Sequence, residues 1–328
     1  MKKNSMKRVT AVWLAVLILS SSASALFGKK EAKQETETGM PVAQDIEIRT
    51  YRDIPYKGQF LASDEEGEDM SFAVVKEPRK GMVAVDGMNF TYTPKEGLTG
   101  NDSFTYTATD SSGNVSMPAV VTVTIEKTKS GVTYADIGDC AAAIAAQYLA
   151  EEGIFTGNKI GDRYYFEPDQ AVTRSEFLAL VLETAGREVT DVTMTGFCDD
   201  EVIPTWAKAY AAAGVADGIV QGKATEDGAA FMGEEAISFN EAATVLNRVL
   251  DIGDVDLDEW YADREAVPSW AAQAVGNMEA VSVLQTGSFG SLTMTKHITR
   301  ADAAQMLSAA KTLLDGKQET GGFLGWRS

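Results

Sequence analysis

The chain contains very few of the residues that most often carry catalysis or bind transition metals. Its 328 residues include two cysteines and one histidine, His297. A single histidine excludes a zinc site of the His-x-x-x-His type, and there is no Gly-x-Ser-x-Gly segment to present a hydrolase nucleophile. Paired carboxylates could still serve a glycosidase, but the patterns below account for most of the chain without one. We therefore expect neither an enzyme nor a bound cofactor.

Basic residues are also scarce. The chain has 29 Lys and Arg against 48 Asp and Glu, which gives a formal net charge of −19. Nucleic-acid binding needs a basic surface, and an anionic bilayer repels such a chain. An anionic partner would have to be met by individual arginines rather than by the overall field. We expect no nucleic acid and no membrane surface among the partners.

Apolar runs long enough to cross a bilayer, which takes about 20 residues, are missing as well. Residues 9–19 form a short apolar run that follows four basic residues and precedes the small-residue site Ala23-Ser24-Ala25. This order predicts a secretory signal peptide over residues 1–25 and no membrane segment after its cleavage. Losing four basic residues would change the net charge from −19 to −23. Residues 26–43 are polar and are predicted to form a flexible leader.

An exported chain permits a disulfide, so Cys140 and Cys198 raise the question of a bridge. The two cysteines are far apart in sequence, and cysteines pair only if their Cα atoms come within about 7 Å of each other. The sequence leaves both a bridge and two free thiols open.

Residues 44–126 have the two-residue period of half-buried strands, in which aromatic or branched residues alternate with threonine. Asp86-Gly87 is a hairpin-turn signal. We expect a small antiparallel β-sandwich. The alternation is clearest in three runs: Asn89–Thr93, Phe104–Ala108 and Val121–Ile125.

Three stretches of this segment resemble the bacterial cadherin-like, immunoglobulin-like (Ig-like) repeat. They are residues 62–69 (ASDEEGED), 90–94 (FTYTP) and 100–106 (GNDSFTY). The resemblance implies an all-β Ig-like sandwich used as a spacer or adhesive module. Asp64, Glu66 and Asp69 are weak calcium candidates because calcium favours clustered carboxylates. A solvated acidic loop is the preferred interpretation, and we predict no metal.

The second half of the chain repeats one design every 63 to 64 residues. We call the three copies the first, second and third blocks; they cover residues 132–188, 190–252 and 256–314, and a flexible tail is predicted over 315–328. A repeat of this length indicates units that share a core and bind at the junctions between neighbours. Each block opens with an aromatic-x-Asp triplet, ending in Asp136, Asp199 and Asp263.

Each block ends with a hydroxyl residue followed three places later by an acid: Thr173 and Glu176, Ser238 and Glu241, Thr299 and Asp302. This spacing predicts a capping box, in which the hydroxyl and the acid each bond a backbone N–H at the start of a helix. Apolar residues follow at helical spacing and predict core-facing helices.

The order Gly153-Ile154, Phe166-Glu167-Pro168 and Thr173-Arg174-Ser175-Glu176 resembles the S-layer homology repeat, which usually occurs as three tandem copies. The resemblance implies an all-α, pseudo-threefold helical prism. It also implies binding of secondary cell-wall polysaccharide, often with pyruvylated sugars, in the grooves between repeats. The family's binding arginine falls on Arg174 and Arg300, whereas the second block has Phe239 at that position. Our candidate binding residues are Arg174, Arg300, Thr173, Thr299, Trp206, Trp270, Asp136, Asp199 and Asp263.

An arginine just inside a helix start faces the positive end of the helix dipole, where we also expect unpaired N–H groups to face a bound carboxylate. A solvated surface position is the alternative for Arg174 and Arg300. Trp206 and Trp270 lie on apolar helix faces, which favours packing over ligand contact. The three aspartates have an alternative role as turn caps.

The sequence therefore predicts a multidomain surface protein of a bacterium, Gram-positive by its resemblance, that is anchored non-covalently to cell-wall polysaccharide. The alternative is an adhesin or envelope assembly protein. In that case the sandwich binds other surface proteins, and the blocks are only a tether.

Overall fold

The computed structural model describes residues 39–67, 69–138, 140–260, 267–285 and 292–324. The predicted signal peptide and most of the predicted leader lie outside these residues. The chain forms two compact units that divide between Phe166 and Glu167. The division falls inside the first block and not in the polar segment that follows the sandwich.

The amino-terminal unit contains a β-sandwich built from nine strands. One sheet has the order β2-β9-β8-β5, a second has the order β3-β7-β6, and β1 pairs with β4. The prediction of a fully antiparallel sandwich is wrong in one place, because β2 and β9 run parallel. The strands are β1 Val42–Ala43, β2 Ile46–Tyr51, β3 Tyr56–Gln59, β4 Ala62–Ser63, β5 Ser71–Lys76, β6 Gly81–Asp86, β7 Asn89–Pro94, β8 Gly100–Thr109 and β9 Ala119–Glu126.

The alternating aromatic residues form the sandwich core. The Asp102 carboxylate fixes the turn between β5 and β6. Phe90, Tyr92, Phe104 and Tyr106 are each at most 1% exposed. The Asp102 carboxylate accepts from the N–H groups of residues 79 and 80 at 2.9 and 2.7 Å, and from the Tyr92 hydroxyl at 2.8 Å. Burial raises the pKa of Asp102, but these hydrogen bonds outweigh it and hold the pKa below its ordinary value.

The segment between the sandwich and the first helix is held in place by one carboxylate. Helix α1 covers Ala143–Glu151 and is followed by a hairpin of β10 (Asn158–Ile160) and β11 (Arg163–Tyr165). Glu151 accepts from the N–H groups of Lys129 and Ser130 at 2.6 and 3.0 Å, and from the Ser130 hydroxyl at 2.7 Å. Burial raises the pKa of Glu151, but these bonds and one from Gln147 lower it below its ordinary value. The polar segment around Lys129 and Ser130, which follows the sandwich, is therefore bound to α1.

Replacing Glu151 with glutamine should release this segment. The change removes the charge that strengthens three bonds, and hydrogen bonds to a charged group contribute about 1.5–3 kcal/mol each. We expect trypsin to cleave after Lys127 and Lys129 at least about 10-fold faster, as measured by mass spectrometry over time. Glu152→Gln, on the exposed neighbouring residue, is the control. Equal cleavage rates in the wild type and both variants would contradict the role of Glu151.

The carboxy-terminal unit mixes helices with a β-hairpin. The prediction of an all-α prism is therefore wrong. The first block also contains a hairpin, β10-β11. The strands of these hairpins are three residues long, too short to show alternation, and their turns depend on glycines with positive φ, 62° at Gly161 and 127° at Gly228. The elements are α2 Arg174–Thr184, α3 Thr205–Ala216, β12 Lys223–Thr225, β13 Gly228–Ala230, α4 Phe239–Leu250, α5 Leu257–Trp260, α6 Ala272–Ala280 and α7 Arg300–Leu324.

Three extended segments, one from each block, close a ring of backbone hydrogen bonds. The N–H of Val172 donates to the carbonyl of Ile298 at 3.1 Å, that of Ile298 to Ile237 at 2.9 Å, and that of Ile237 back to Val172 at 3.0 Å. These three side chains are at most 2% exposed. Each ring residue directly precedes the first residue of a capping box. The ring therefore sets where α2, α4 and α7 begin.

The last helix continues past residue 314, where the sequence predicted a flexible tail. The Lys317 ammonium donates to the carbonyls of Leu250 and Asp251 at 2.5 and 3.1 Å. These carbonyls lie at the carboxyl end of α4, where a cation interacts favourably with the helix dipole. The extension of α7 thus caps another helix. Residues 325–328 lie outside the described part of the chain.

The sequence left the cysteine pairing open and predicted neither a metal nor a membrane segment. Cys140, half-buried, and Cys198, exposed, are both free thiols. The Asp64 carboxylate accepts from the N–H of Glu66 at 2.7 Å. Among the described residues, no three His, Cys, Asp or Glu side chains gather in a way that could hold a metal ion. In the same part of the chain, no helix combines the length and apolar character needed to cross a bilayer.

Candidate functional site

All three predicted capping boxes form, and they use Thr173 and Thr299 structurally. The Thr173 hydroxyl accepts from the N–H of Glu176 at 3.2 Å, and the Glu176 carboxylate accepts from the N–H of Thr173 at 2.8 Å. Ser238 and Glu241 form the same arrangement. At α7 the shorter acid Asp302 also reaches back to the N–H of Thr299, at 2.8 Å.

The expectation of unpaired N–H groups at these helix starts is wrong. At α2, the N–H of Arg174 donates to the carbonyl of Glu235 and that of Ser175 to the carbonyl of Gly233, both at 2.9 Å. At α7, the N–H groups of Arg300 and Ala301 donate to residues 170 and 168 at 2.8 and 3.0 Å. With the third N–H taken by the capping box, a bound anion would have to be held by side chains.

Arg174 lies at the first position of α2, and its guanidinium contacts the second block. Its Nε–H donates to the carbonyl of Phe231 at 3.0 Å, and its Nη1 donates to the Glu241 carboxylate at 2.8 Å. The side chain is 11% exposed, so Arg174 is not the solvated surface residue of the alternative interpretation. A guanidinium has five N–H donors, and these bonds use two of them. We call Arg174 and Glu241 the first arginine pair.

The first arginine pair is part of a cluster of two cations and two carboxylates. Lys223 lies 2.9 Å from a Glu235 oxygen and 3.4 Å from a Glu241 oxygen. Burial raises the pKa of Glu241, but hydrogen bonds from Ser238 and the charges of Arg174 and Lys223 lower it below its ordinary value. Glu241 is therefore an anion at neutral pH, and the cluster has no formal net charge.

Arg300 occupies the equivalent position on α7 and forms the second arginine pair with Glu167. Its Nη1 lies 2.7 Å from a Glu167 oxygen, and the two side chains are 10% and 40% exposed. Glu167 has a φ of 55°, and Met232, which occupies the same place in the second block, also has a φ of 55°. Non-glycine residues adopt this conformation at a cost, and such positions cluster at functional sites.

The third junction differs because Phe239 replaces the arginine. Its N–H donates to the carbonyl of Lys296 at 3.1 Å. Its side chain brings no charge to the junction, so the guanidinium pattern is confined to two of the three positions.

Two predicted binding aspartates act as backbone acceptors. Asp199 accepts from the N–H groups of Phe231 and Met232 at 2.8 and 2.7 Å, and Asp136 accepts from the N–H of Phe166 at 2.9 Å. Asp199 thereby holds Phe231, whose carbonyl accepts from Arg174. Asp136 holds Phe166, the residue directly before Glu167. This matches their alternative role as turn caps. Asp263 lies outside the described residues.

Trp206 and Trp270 are exposed, so the packing interpretation preferred from the sequence is wrong for both. Trp206 is 50% exposed near the start of α3, and Trp270 is 59% exposed just before α6. Trp206 contacts Tyr210 edge-on, with ring centroids 6.5 Å apart, and the Tyr210 hydroxyl donates to Glu183 at 2.8 Å. The tryptophans thus lie on different elements from the arginines at the starts of α2 and α7.

Sequence reasoning missed the partners of both arginines. Glu241 was assigned only to its capping box, and Glu167 was the variable residue of Phe-x-Pro. Lys223 lies on a strand that the sequence did not predict. The capping box of the second block could have suggested Glu241 as the partner of Arg174. One oxygen of Glu241 accepts from the Ser238 N–H, and the other accepts from Arg174.

Comparison with known families identifies two regions of the chain. Residues 39–125 match the bacterial Ig domain, and residues 133–178 match the S-layer homology domain. The second match covers most of the first block and does not extend to the other two. No curated protein matches the chain.

Solved structures give only short, distant similarities. An endo-fucoidan hydrolase of glycoside hydrolase family 107 is 18% identical over 28% of this chain and 14% of its own, with a TM-score of 0.24. The fibronectin(III)-like modules of Clostridium thermocellum CbhA are 17% identical over 27% and 48%, with a TM-score of 0.20. The SrpA adhesin of Streptococcus sanguinis is 15% identical over 32% and 65%, with a TM-score of 0.23. The chain spans less than two thirds of each of these proteins.

The two family matches support a general conclusion about place and role. An S-layer homology domain is typical of bacterial proteins anchored at the cell surface or associated with an S-layer. A bacterial Ig domain beside it fits a spacer or adhesive module. The chain is accordingly a bacterial surface protein in which an Ig domain precedes an S-layer homology domain.

Proposed function

We propose that this protein is exported by the predicted signal peptide and anchors itself non-covalently to secondary cell-wall polysaccharide of a Gram-positive bacterium. The second and third blocks act as diverged copies of the S-layer homology domain. This is supported by the capping boxes of the three blocks and by the backbone ring to which each block contributes one segment. The role is binding, with no catalytic step.

The observation that carries the proposal is the state of the Arg174 guanidinium. It is fixed by Phe231 and Glu241 at the junction of two blocks, and its bonds to the residues that the structure describes use two of its five donors. Arginine grips planar carboxylates with two parallel bonds, and a pyruvylated sugar carries such a group. Because the backbone N–H groups nearby are taken, the guanidinium and the Lys223 ammonium would supply the positive charge. Arg300, at the equivalent position on α7, is the second proposed binding residue.

The exposed tryptophans support a carbohydrate ligand. Flat sugar faces pack on aromatic rings, and Trp206 and Trp270 present half or more of their surface. Exposed tryptophan is uncommon where no partner covers it. A polymer bound near the arginines could extend over such rings, which would add apolar contact to the charged contacts.

Cosedimentation with purified cell walls tests the proposal. The chain from residue 26 onward should pellet with intact Gram-positive walls and remain in solution when the walls have been stripped of secondary polymer. We expect the bound fraction to fall at least about 10-fold on stripping. Binding that survives stripping would favour the alternative, in which the sandwich binds a protein partner. The absence of binding to intact walls would contradict the anchor itself.

A further inference from the structure

The sandwich has four strands at the open edges of its two main sheets, and one of them lacks the usual protection. The edge strands are β2 and β5 in one sheet and β3 and β6 in the other. Natural sheets protect edges with charge, short length, bulges or a covering element.

Three of the four edges are protected. Strand β2 presents exposed Glu47 and Arg49 and lies against α1. Strand β3 has four residues and an exposed lysine, Lys57. Strand β5 has an irregular register between Val74 and Lys76 that bends it away from regular pairing. None of these strands offers a long, regular and apolar edge.

Strand β6 has none of these features between Gly81 and Val85. It pairs regularly with β7 over its six residues, so its opposite edge is straight and, within the described residues, open. Its side chains Met82 and Val85 are 64% and 41% exposed, and Met88, in the turn that follows the strand, is 48% exposed. An apolar strand with an unpaired edge is a template for another strand.

The charges at the two ends of β6 select the partner. Lys80 precedes the strand and Asp86 ends it. If two copies of β6 pair antiparallel with Val83 opposite Val83, Lys80 of each copy lies opposite Asp86 of the other, and Met82 lies opposite Ala84. Opposite charges facing each other across two strands stabilise the pairing by about 0.2–1 kcal/mol each, and the two-fold symmetry supplies two such pairs.

We propose that the β6 edge is a self-association surface at which a second copy of this chain pairs to form a two-fold dimer. The three-stranded sheets of the two sandwiches would join into one six-stranded sheet. The surface is independent of the proposed wall anchor, since Lys80 and Asp86 belong to the sandwich. A single strand pair buries little area, so the dimer is weak, with a Kd on the order of 10⁻⁵ M.

Sedimentation equilibrium of the chain from residue 26 onward, at physiological salt and up to about 100 µM, tests the proposal. Asp86→Lys and Lys80→Asp each place like charges opposite each other and should weaken the dimer at least about 10-fold. The double variant, Lys80→Asp with Asp86→Lys, restores both pairs and should return the Kd to within about threefold of wild type.

Two controls separate this effect from others. Glu65→Lys replaces an acid with lysine, as Asp86→Lys does, but on an exposed loop outside the strand. It should leave the dimer unchanged. The Lys80 ammonium also donates to the carbonyl of Thr99 at 2.8 Å, so thermal unfolding of each variant shows whether the sandwich is retained. A wild-type chain that is monomeric at every concentration, or a double variant as weak as the single ones, would overturn the proposal.

Discussion

Replacing Ile298 with aspartate is expected to unfold the carboxy-terminal unit. Ile298 is 0% exposed and both donates and accepts a bond in the backbone ring. The change removes a buried branched side chain and places a charge at a fully buried position whose backbone bonds to Val172 and Ile237. Loss of the side chain alone costs about 2–5 kcal/mol, and the buried charge adds several more. A sum of this size approaches the whole stability of a typical domain.

Tryptophan fluorescence during urea unfolding measures this effect selectively. The sandwich, residues 44–126, contains no tryptophan, so Trp206 and Trp270 report on the carboxy-terminal unit. His297→Asp, on the exposed neighbouring residue, is the matched control and should shift the stability by less than about 0.5 kcal/mol. An Ile298→Asp protein with a wild-type urea midpoint would contradict the role of the ring.

Replacing Arg174 and Arg300 together with glutamine should abolish measurable wall binding. Each guanidinium is expected to make charge-assisted bonds to a ligand carboxylate, and such bonds contribute about 1.5–3 kcal/mol each. Losing one at each position corresponds to a drop in affinity of at least about 100-fold. Glutamine retains an N–H donor for Glu241 and Glu167, so the two arginine pairs are weakened without placing like charges together.

The matched control removes two arginines from the surface. Arg163 is exposed on β11, and Arg187 is 54% exposed with its closest carboxylate, that of Asp217, at 3.9 Å. Arg163→Gln with Arg187→Gln makes the same change in net charge and should bind walls within about threefold of wild type. Urea midpoints of both double variants show whether the fold is intact. Equal affinities for both double variants would mean that overall charge, and not the two arginine pairs, governs binding.

The sequence predicted elements whose pattern is local. Alternation placed the sandwich strands because one face of each strand is buried, as at Phe104 and Tyr106. The spacing of Thr173 and Glu176 predicted a capping box because its bonds lie within one helical turn. The parallel pairing of β2 with β9 was not predictable in this way, since the two strands lie near opposite ends of the sandwich's sequence.

The predictions failed where distant residues decide the outcome. The N–H groups at the start of α2 are satisfied by carbonyls about 60 residues away in sequence, so helix chemistry alone suggested that they would be unpaired. Trp206 lies on an apolar helix, and only the placement of neighbouring elements leaves it uncovered. The pairing of Arg174 with Glu241 needs the ring that aligns two blocks, and no local pattern describes that ring.

If the protein is exported as proposed, the backbone ring also affects when the chain can fold. Val172 and Ile298 are separated by 126 positions, and their bond is needed to complete the cycle that starts three helices. Closing so long a loop has a large entropic cost, which is offset only when the contacts of the folded unit have formed. Closure is therefore expected to be a late step in folding. A chain emerging through a secretion channel cannot form the ring until its third block has crossed. An exported carboxy-terminal unit would therefore stay unfolded during transport and fold only outside the cell, where its proposed ligand lies.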